Sequence, residues 1–216
     1  MEYGSARLRI LLVDDHELVR RGLVSILNAG HPEWEIAGEA GSGAAALDLG
    51  LRLKPDVAIL DLSLPDLTGL QVAEQLIAAV PGIRILVLTM HAAEPILRRL
   101  QKAGVSAYLA KNEAPRQLIR AVERILAGEP FFASAEAYRP SAELSAAEYV
   151  PVQFLLTARE LDVMRLLVQN RSNKQVASDL GLSVRTVEQH HASILAKLGV
   201  DSPGEMVKIA IRDRAI

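Results

Sequence analysis

Two hydrophobic rhythms alternate along residues 1–127. Short, continuous aliphatic runs at Leu8–Val13, Trp34–Ala37, Val57–Leu60, Ile83–Leu88 and Ala107–Ala110 predict buried strands. Between them, Leu18–Leu27, Ala44–Leu53, Leu70–Val80, Ile96–Ala103 and Gln117–Ala127 repeat apolar positions at the helical period. Five strand-then-helix units predict an α/β domain with a mainly parallel sheet. Because the strands are continuously apolar rather than alternating, both faces of that sheet should be covered.

The pattern changes after Gly128. Residues 128–154 are rich in Ala, Ser, Glu and Pro without a sustained period and read as a linker, in which SAELSAAEY is the one candidate for a short helix. From Leu155 to Ile216 the chain reads as helical throughout, a second domain with marked helix starts. Thr157-x-x-Glu160 and Ser172-x-x-Gln175 have the form of capping boxes, and Ser183 can cap a third helix. Ser172–Leu180 and Ser183–Leu198 are then two helices joined by a short turn containing Gly181, the signature of a helix-turn-helix. Val187, Ile194 and Leu198 fall on one face of the second helix and should pack inward, with Arg185, Glu188, Gln189 and Ala192 mainly on the other. His190 and His191 are adjacent, so their side chains diverge by ~100° and cannot share one metal ion.

Composition narrows the function classes. The 216 residues carry 24 Lys+Arg against 26 Asp+Glu, a net charge of -2, and half are hydrophobic, which excludes a wholly disordered chain. Aromatics at 4% argue against a stacking platform for single-stranded nucleic acid. With no cysteine there is no disulfide scaffold, thiolate metal site or thiol catalysis. No apolar run approaches the ~20 residues of a membrane helix. The first residues lack the apolar core of a signal peptide, so a cytoplasmic location and no membrane partner are expected.

The chemistry gathers where strands end. Asp14 and Asp15 follow the first strand, Asp61 the third, Thr89 the fourth and Lys111 the fifth. Open parallel sheets bind ligands beyond the carboxyl ends of their strands, at the switch point in strand order. If the order is 2-1-3-4-5, the first and third strands are neighbours there and the three carboxylates converge. Close carboxylates repel unless a cation joins them, and an all-oxygen donor set suits a hard ion such as Mg²⁺. A metal, an ammonium and a hydroxyl around one carboxylate suit a phosphoryl group carried on that carboxylate.

LLVDDHELVRRGL, DVAILDLSLPDLTGLQV, ILVLTM and AYLAK resemble the receiver domain of two-component response regulators. The resemblance implies a flavodoxin-like sheet in the order 2-1-3-4-5. It makes Asp61 the phospho-acceptor, and Asp14, Asp15, Asp61 and the backbone carbonyl of Ser63 the ligands of Mg²⁺. Thr89 and Tyr108 become a switch pair, in which the tyrosine moves into space vacated by the threonine, and Lys111 contacts the phosphoryl group. Asn112 stands where many receivers have proline. Three competing readings exist. Asp14 or Asp15 could merely cap the helix that follows. Gly41-Ser42-Gly43-Ala44-Ala45-Ala46 fits a G-x-G-x-x-A dinucleotide fingerprint, with Asp61 twenty positions beyond Gly41. An aspartyl-nucleophile phosphohydrolase would need an acid where the chain has Ser63.

LTARELDVMRLLVQNRSNKQVASDLGLSVRTVEQHHASILAKLGV resembles the DNA-binding domain of the NarL/FixJ (LuxR-type) regulators. The resemblance implies a sequence-specific regulator of transcription that is not a metabolic enzyme, with a sensor histidine kinase and double-stranded DNA as partners. Lys174, Arg185, Thr186, Glu188, Gln189 and His190 are the candidate DNA-binding residues. Glu188 and Ala192 replace residues that are basic in some relatives. From Leu155 to Ile216 nine basic residues face seven acids, a net charge of only +2. Phosphate contacts supply most non-specific affinity, so one copy should bind weakly, and a homodimer formed on phosphorylation or on DNA is expected. A signalling adaptor whose helical domain binds protein is the alternative.

Overall fold

The computed structural model describes residues 7–89, 94–132 and 151–213. It divides into two compact units, Met1–Tyr149 and Val150–Ile216.

The first unit runs β1 (Arg9–Val13), α1 (Glu17–Gly30), β2 (Glu35–Ala40), α2 (Gly43–Leu53), β3 (Val57–Asp61), α3 (Gly69–Ala79), β4 (Arg84–Thr89), α4 (Glu94–Lys102), β5 (Ala107–Ala110), α5 (Ala114–Leu126) and β6 (Phe131–Phe132). Its sheet is parallel in the order β2-β1-β3-β4-β5-β6. Alternate residues of each central strand serve opposite layers. Ile10, Leu12, Val57, Ile59, Leu86, Leu88 and Leu109 pack with Leu23 and Leu27 of α1 and Leu118, Val122 and Ile125 of α5. The intervening Leu11, Ala58, Leu60, Ile85 and Val87 are equally buried.

The structure corrects the sequence reading at the sheet edges. A sixth strand, Phe131–Phe132, pairs with Ala107–Tyr108 inside the segment read as linker. Two residues are too few for any periodicity, but Phe131 is buried and closes the α5 side of the core. β2 continues to Ala40, beyond the apolar run, because Gly38, Glu39 and Ala40 pair with β1 at the sheet edge, where Glu39 is exposed and only Ala40 is buried. The candidate helix SAELSAAEY lies outside the described residues.

At the end of α1, His31 ties two elements together. Its ring stacks on Trp34 at 4.0 Å, with Nδ1 2.6 Å from Glu33 and Nε2 3.0 Å from Glu123 of α5. Hydrogen bonds to Glu33 and then Glu123 raise the imidazole above its ordinary pKa.

The second unit comprises α6 (Val152–Leu155), α7 (Ala158–Val168), α8 (Asn173–Leu180), α9 (Val184–Leu198) and α10 (Pro203–Arg212). Thr157 and Ser172 form complete capping boxes with Glu160 and Gln175, and Ser183 accepts from the Thr186 amide. Gly181 ends α8 with φ +64, a left-handed conformation that favours glycine. Val163, Met164, Val176, Val187, Ile194, Met206 and Ala210 make a small separate core. Under it, buried Glu160 accepts from the Ser193 hydroxyl and from Lys197 Nζ at 2.7 Å each.

Candidate functional site

The carboxyl ends of β1, β3 and β5 meet as the sequence requires. Asp14 and Asp61 are 1% and 4% exposed. Lys111 reaches across from the end of β5 and donates to both, at 2.6 Å to Asp14 Oδ2 and 2.8 Å to Asp61 Oδ2. Burial pushes the Asp61 carboxyl above its ordinary pKa, against the pull of the Lys111 ammonium and a hydrogen bond from the Ser63 backbone. Burial alone would lower Lys111, but Asp61 and Asp14 outweigh it and hold the ammonium charged.

Local backbone fixes these positions. Gly69 opens α3 hard against the end of β3, where a Cβ would come within 2.3 Å of the Asp61 carbonyl oxygen. Arg20 of α1 donates to the Asp14 carbonyl at 2.6 Å and to Glu39 of β2 at 3.3 Å, holding the β1–α1 turn. Thr89 lies one residue beyond Leu88, the β4 partner of Asp61, and the Lys111 amide donates to its carbonyl at 2.8 Å. Tyr108, two strands away from Asp61 in the sheet, has a fully buried side chain. Burial, and then the Glu113 carboxylate, raises its hydroxyl pKa so far that it stays protonated.

Asp14, Asp15, His16 and Asp61 each offer one ligand atom within 4.8 Å of the others. Two of these carboxylates are nearly excluded from water and already share one cationic partner, so the donor chemistry fits a divalent cation with oxygen ligands.

In the helical unit, Val187 and Ile194 point inward, while Arg185, Glu188, Gln189 and Ala192 of α9 and Lys174 of α8 are exposed. Thr186 and His190 are half-buried at the margin. Among the described residues, Lys174, Arg185, Glu188 and Gln189 make no ion pair or hydrogen bond through their side chains. Arg185, Glu188 and Gln189 form an exposed polar face along α9, whose opposite face is committed to the core.

Comparison with known proteins agrees with both halves. Residues 10–123 match the response regulator receiver domain, and residues 155–210 match the bacterial regulatory proteins of the luxR family. The chain is 37% identical to the DNA-binding transcriptional activator DevR/DosR of Mycobacterium tuberculosis, over 90% of this chain and 89% of that protein. It is 38% identical to the nitrate/nitrite response regulator NarP of Escherichia coli, over 90% of each. A LuxR-family two-component response regulator from Aurantimonas superposes with a TM-score of 0.57 at 32% identity, covering 61% of this chain and 94% of that one. The chain belongs to the LuxR-type two-component response regulators.

This regulator is a DNA-binding transcriptional regulator and not an enzyme. No described helix is long and apolar enough to cross a membrane. Its glycine-rich turn does not present the free amides that a dinucleotide fingerprint needs at Gly43 and Ala44. Asp66 accepts from the Gly43 and Ala44 amides at 2.7 and 2.9 Å. Burial raises the Asp66 carboxyl, but those amides outweigh it and bring its pKa below the ordinary value. Gly43 itself is needed for packing, since a Cβ would meet Leu67 Cβ at 2.7 Å. Nor do Asp14 and Asp15 cap α1, whose N-cap is His16. Sequence reasoning missed Arg20, Asp66 and His16. The sequence signal for His16 was its place directly after the two aspartates.

Proposed function

We propose that Asp61 accepts a phosphoryl group and that this event controls how the helical unit engages double-stranded DNA. The observation that carries the proposal is the Lys111 ammonium bridging buried Asp61 and Asp14 at the end of the parallel sheet. In the transfer, an Asp61 carboxylate oxygen attacks phosphorus on a phosphohistidine of a sensor histidine kinase. A P–O bond forms, the P–N bond breaks, and the imidazole leaves with the electron pair. Lys111 offsets negative charge on the transferred group. Mg²⁺ held by Asp14, Asp15, Asp61 and the backbone carbonyl of Ser63 would neutralise the phosphoryl oxygens. Thr89, buried at the end of β4 next to the strand that carries Asp61, is the group that answers the new charge, and buried Tyr108 of β5 is the second member of the switch.

On DNA, α9 lies in the major groove. Lys174 and Arg185 contact the backbone, Gln189 reads a base edge, and Thr186, Glu188 and His190 complete that helix's contact region. The low charge of the helical unit favours a homodimer on paired half-sites, with the second binding event made intramolecular. A regulator acting on DNA in this way works in the cytoplasm.

Labelling with radioactive acetyl phosphate tests the acceptor. Incorporation that needs Mg²⁺ and vanishes in Asp61→Asn supports the assignment, whereas undiminished labelling in that variant removes it.

A further inference from the structure

The histidine after the aspartate pair has no task in the helix it precedes. His16 is the N-cap of α1, a position favouring Ser, Thr, Asp or Asn, yet its side chain makes no capping hydrogen bond. Its backbone amide donates to Asp14 Oδ1 at 2.8 Å, which ties the residue to the acidic cluster. Nδ1 then stands 2.7 Å from Asp15 Oδ1 and 3.4 Å from Asp14 Oδ1, while 68% of the side chain stays exposed. An ion with ligands at ~2.1 Å holds neighbouring donor atoms ~3 Å apart and opposite ones ~4.2 Å apart. The 3.4 and 2.7 Å separations of Nδ1 from the Asp14 and Asp15 oxygens lie on either side of the neighbouring-ligand distance, and Asp61 offers a further oxygen within 4.8 Å of the other donors.

Resting on the cation-site reading above, we propose that His16 Nδ1 is a further ligand of this site and gives it a preference for borderline first-row ions over Mg²⁺. Mg²⁺ takes oxygen and keeps several waters, so an imidazole adds little to its binding. Co²⁺, Ni²⁺ and Zn²⁺ accept imidazole nitrogen readily, and their affinity for such a site rises along the Irving–Williams order. Nδ1 ligates an ion only as a bare nitrogen, so the ligating form of the ring is the one with its proton on Nε2.

Calorimetric titration of the full chain with MgCl₂ and with CoCl₂, in wild type and His16→Ala, tests this. Proton NMR of the Co²⁺ form supplies the second readout, since a ligating imidazole shows a hyperfine-shifted N–H resonance that exchanges in D₂O. The wild type should show that resonance and lose it when excess Mg²⁺ displaces Co²⁺. His16→Ala should lack it and bind Co²⁺ at least ~10-fold more weakly, with Mg²⁺ affinity unchanged within about twofold. Equal weakening for both ions would overturn the proposal and leave His16 only as an orienting partner of Asp15. So would Co²⁺ binding unaltered by the substitution. Failure of the wild type to bind Mg²⁺ at all would instead remove the cation site, and this inference with it.

Discussion

The Lys111 ammonium stands 2.8 Å from Asp61 Oδ2, though the two residues are fifty positions apart and Lys111 follows β5, which is not adjacent to β3. The same nitrogen is 2.6 Å from Asp14, so one cation serves two carboxylates that water barely reaches. Removing it leaves like charges face to face in a poorly solvated place. Lys111→Met should therefore destabilise the metal-free chain by about 3 kcal/mol, within the range for stripping one partner from a buried pair. Mg²⁺ should restore more stability to the variant than it adds to the wild type, because it replaces the missing charge. Thermal unfolding with and without MgCl₂ checks this, and equal gains in the two proteins would count against it.

The imidazole between α1 and α5 predicts a pH dependence with a definite sign. Hydrogen bonds to Glu33 and Glu123 raise His31 above its unfolded value of 6.5. A raised folded pKa means the contribution is fully present below pH 6.5 and is lost as pH rises through the folded pKa. The stacked Trp34 is the chain's single tryptophan, so its emission should titrate with this ring. Unfolding temperature and Trp34 fluorescence should change together on the alkaline side of pH 6.5, and His31→Asn should abolish both changes.

For DNA, charge and readout separate cleanly. Lys174→Ala should weaken binding to all sequences alike and reduce the salt slope by about 1. Gln189→Ala should cost ~1–3 kcal/mol at one base position and relax preference there. Footprints and salt titrations on the same fragments distinguish the two, and a sequence-selective loss in Lys174→Ala would reverse the assignments.

Much of this was legible from local chemistry. Strand-end polar residues marked Asp14, Asp61 and Lys111 because buried strands are apolar until they emerge, and the Thr157 and Ser172 capping boxes form as spelled. The strand order came instead from the family resemblance. What escaped depends on contacts between distant segments. Phe131–Phe132 becomes a strand only because Ala107–Tyr108 offers an open edge. Asp66 reads as a loop acid until α2 presents its amides to it. Gly41–Ala46 mimics a dinucleotide turn since both uses want small residues at a helix start.

The central claim is that charge placed on Asp61 governs DNA binding. Its most direct test is the affinity of the full chain for its genomic sites, measured with Mg²⁺ before and after acetyl phosphate, in wild type and Asp61→Asn. The account predicts that phosphodonor tightens binding by the wild type, with dimers on the DNA, and leaves Asp61→Asn unchanged. An equal response from Asp61→Asn, or a fully phosphorylated wild type that binds no differently, would contradict it.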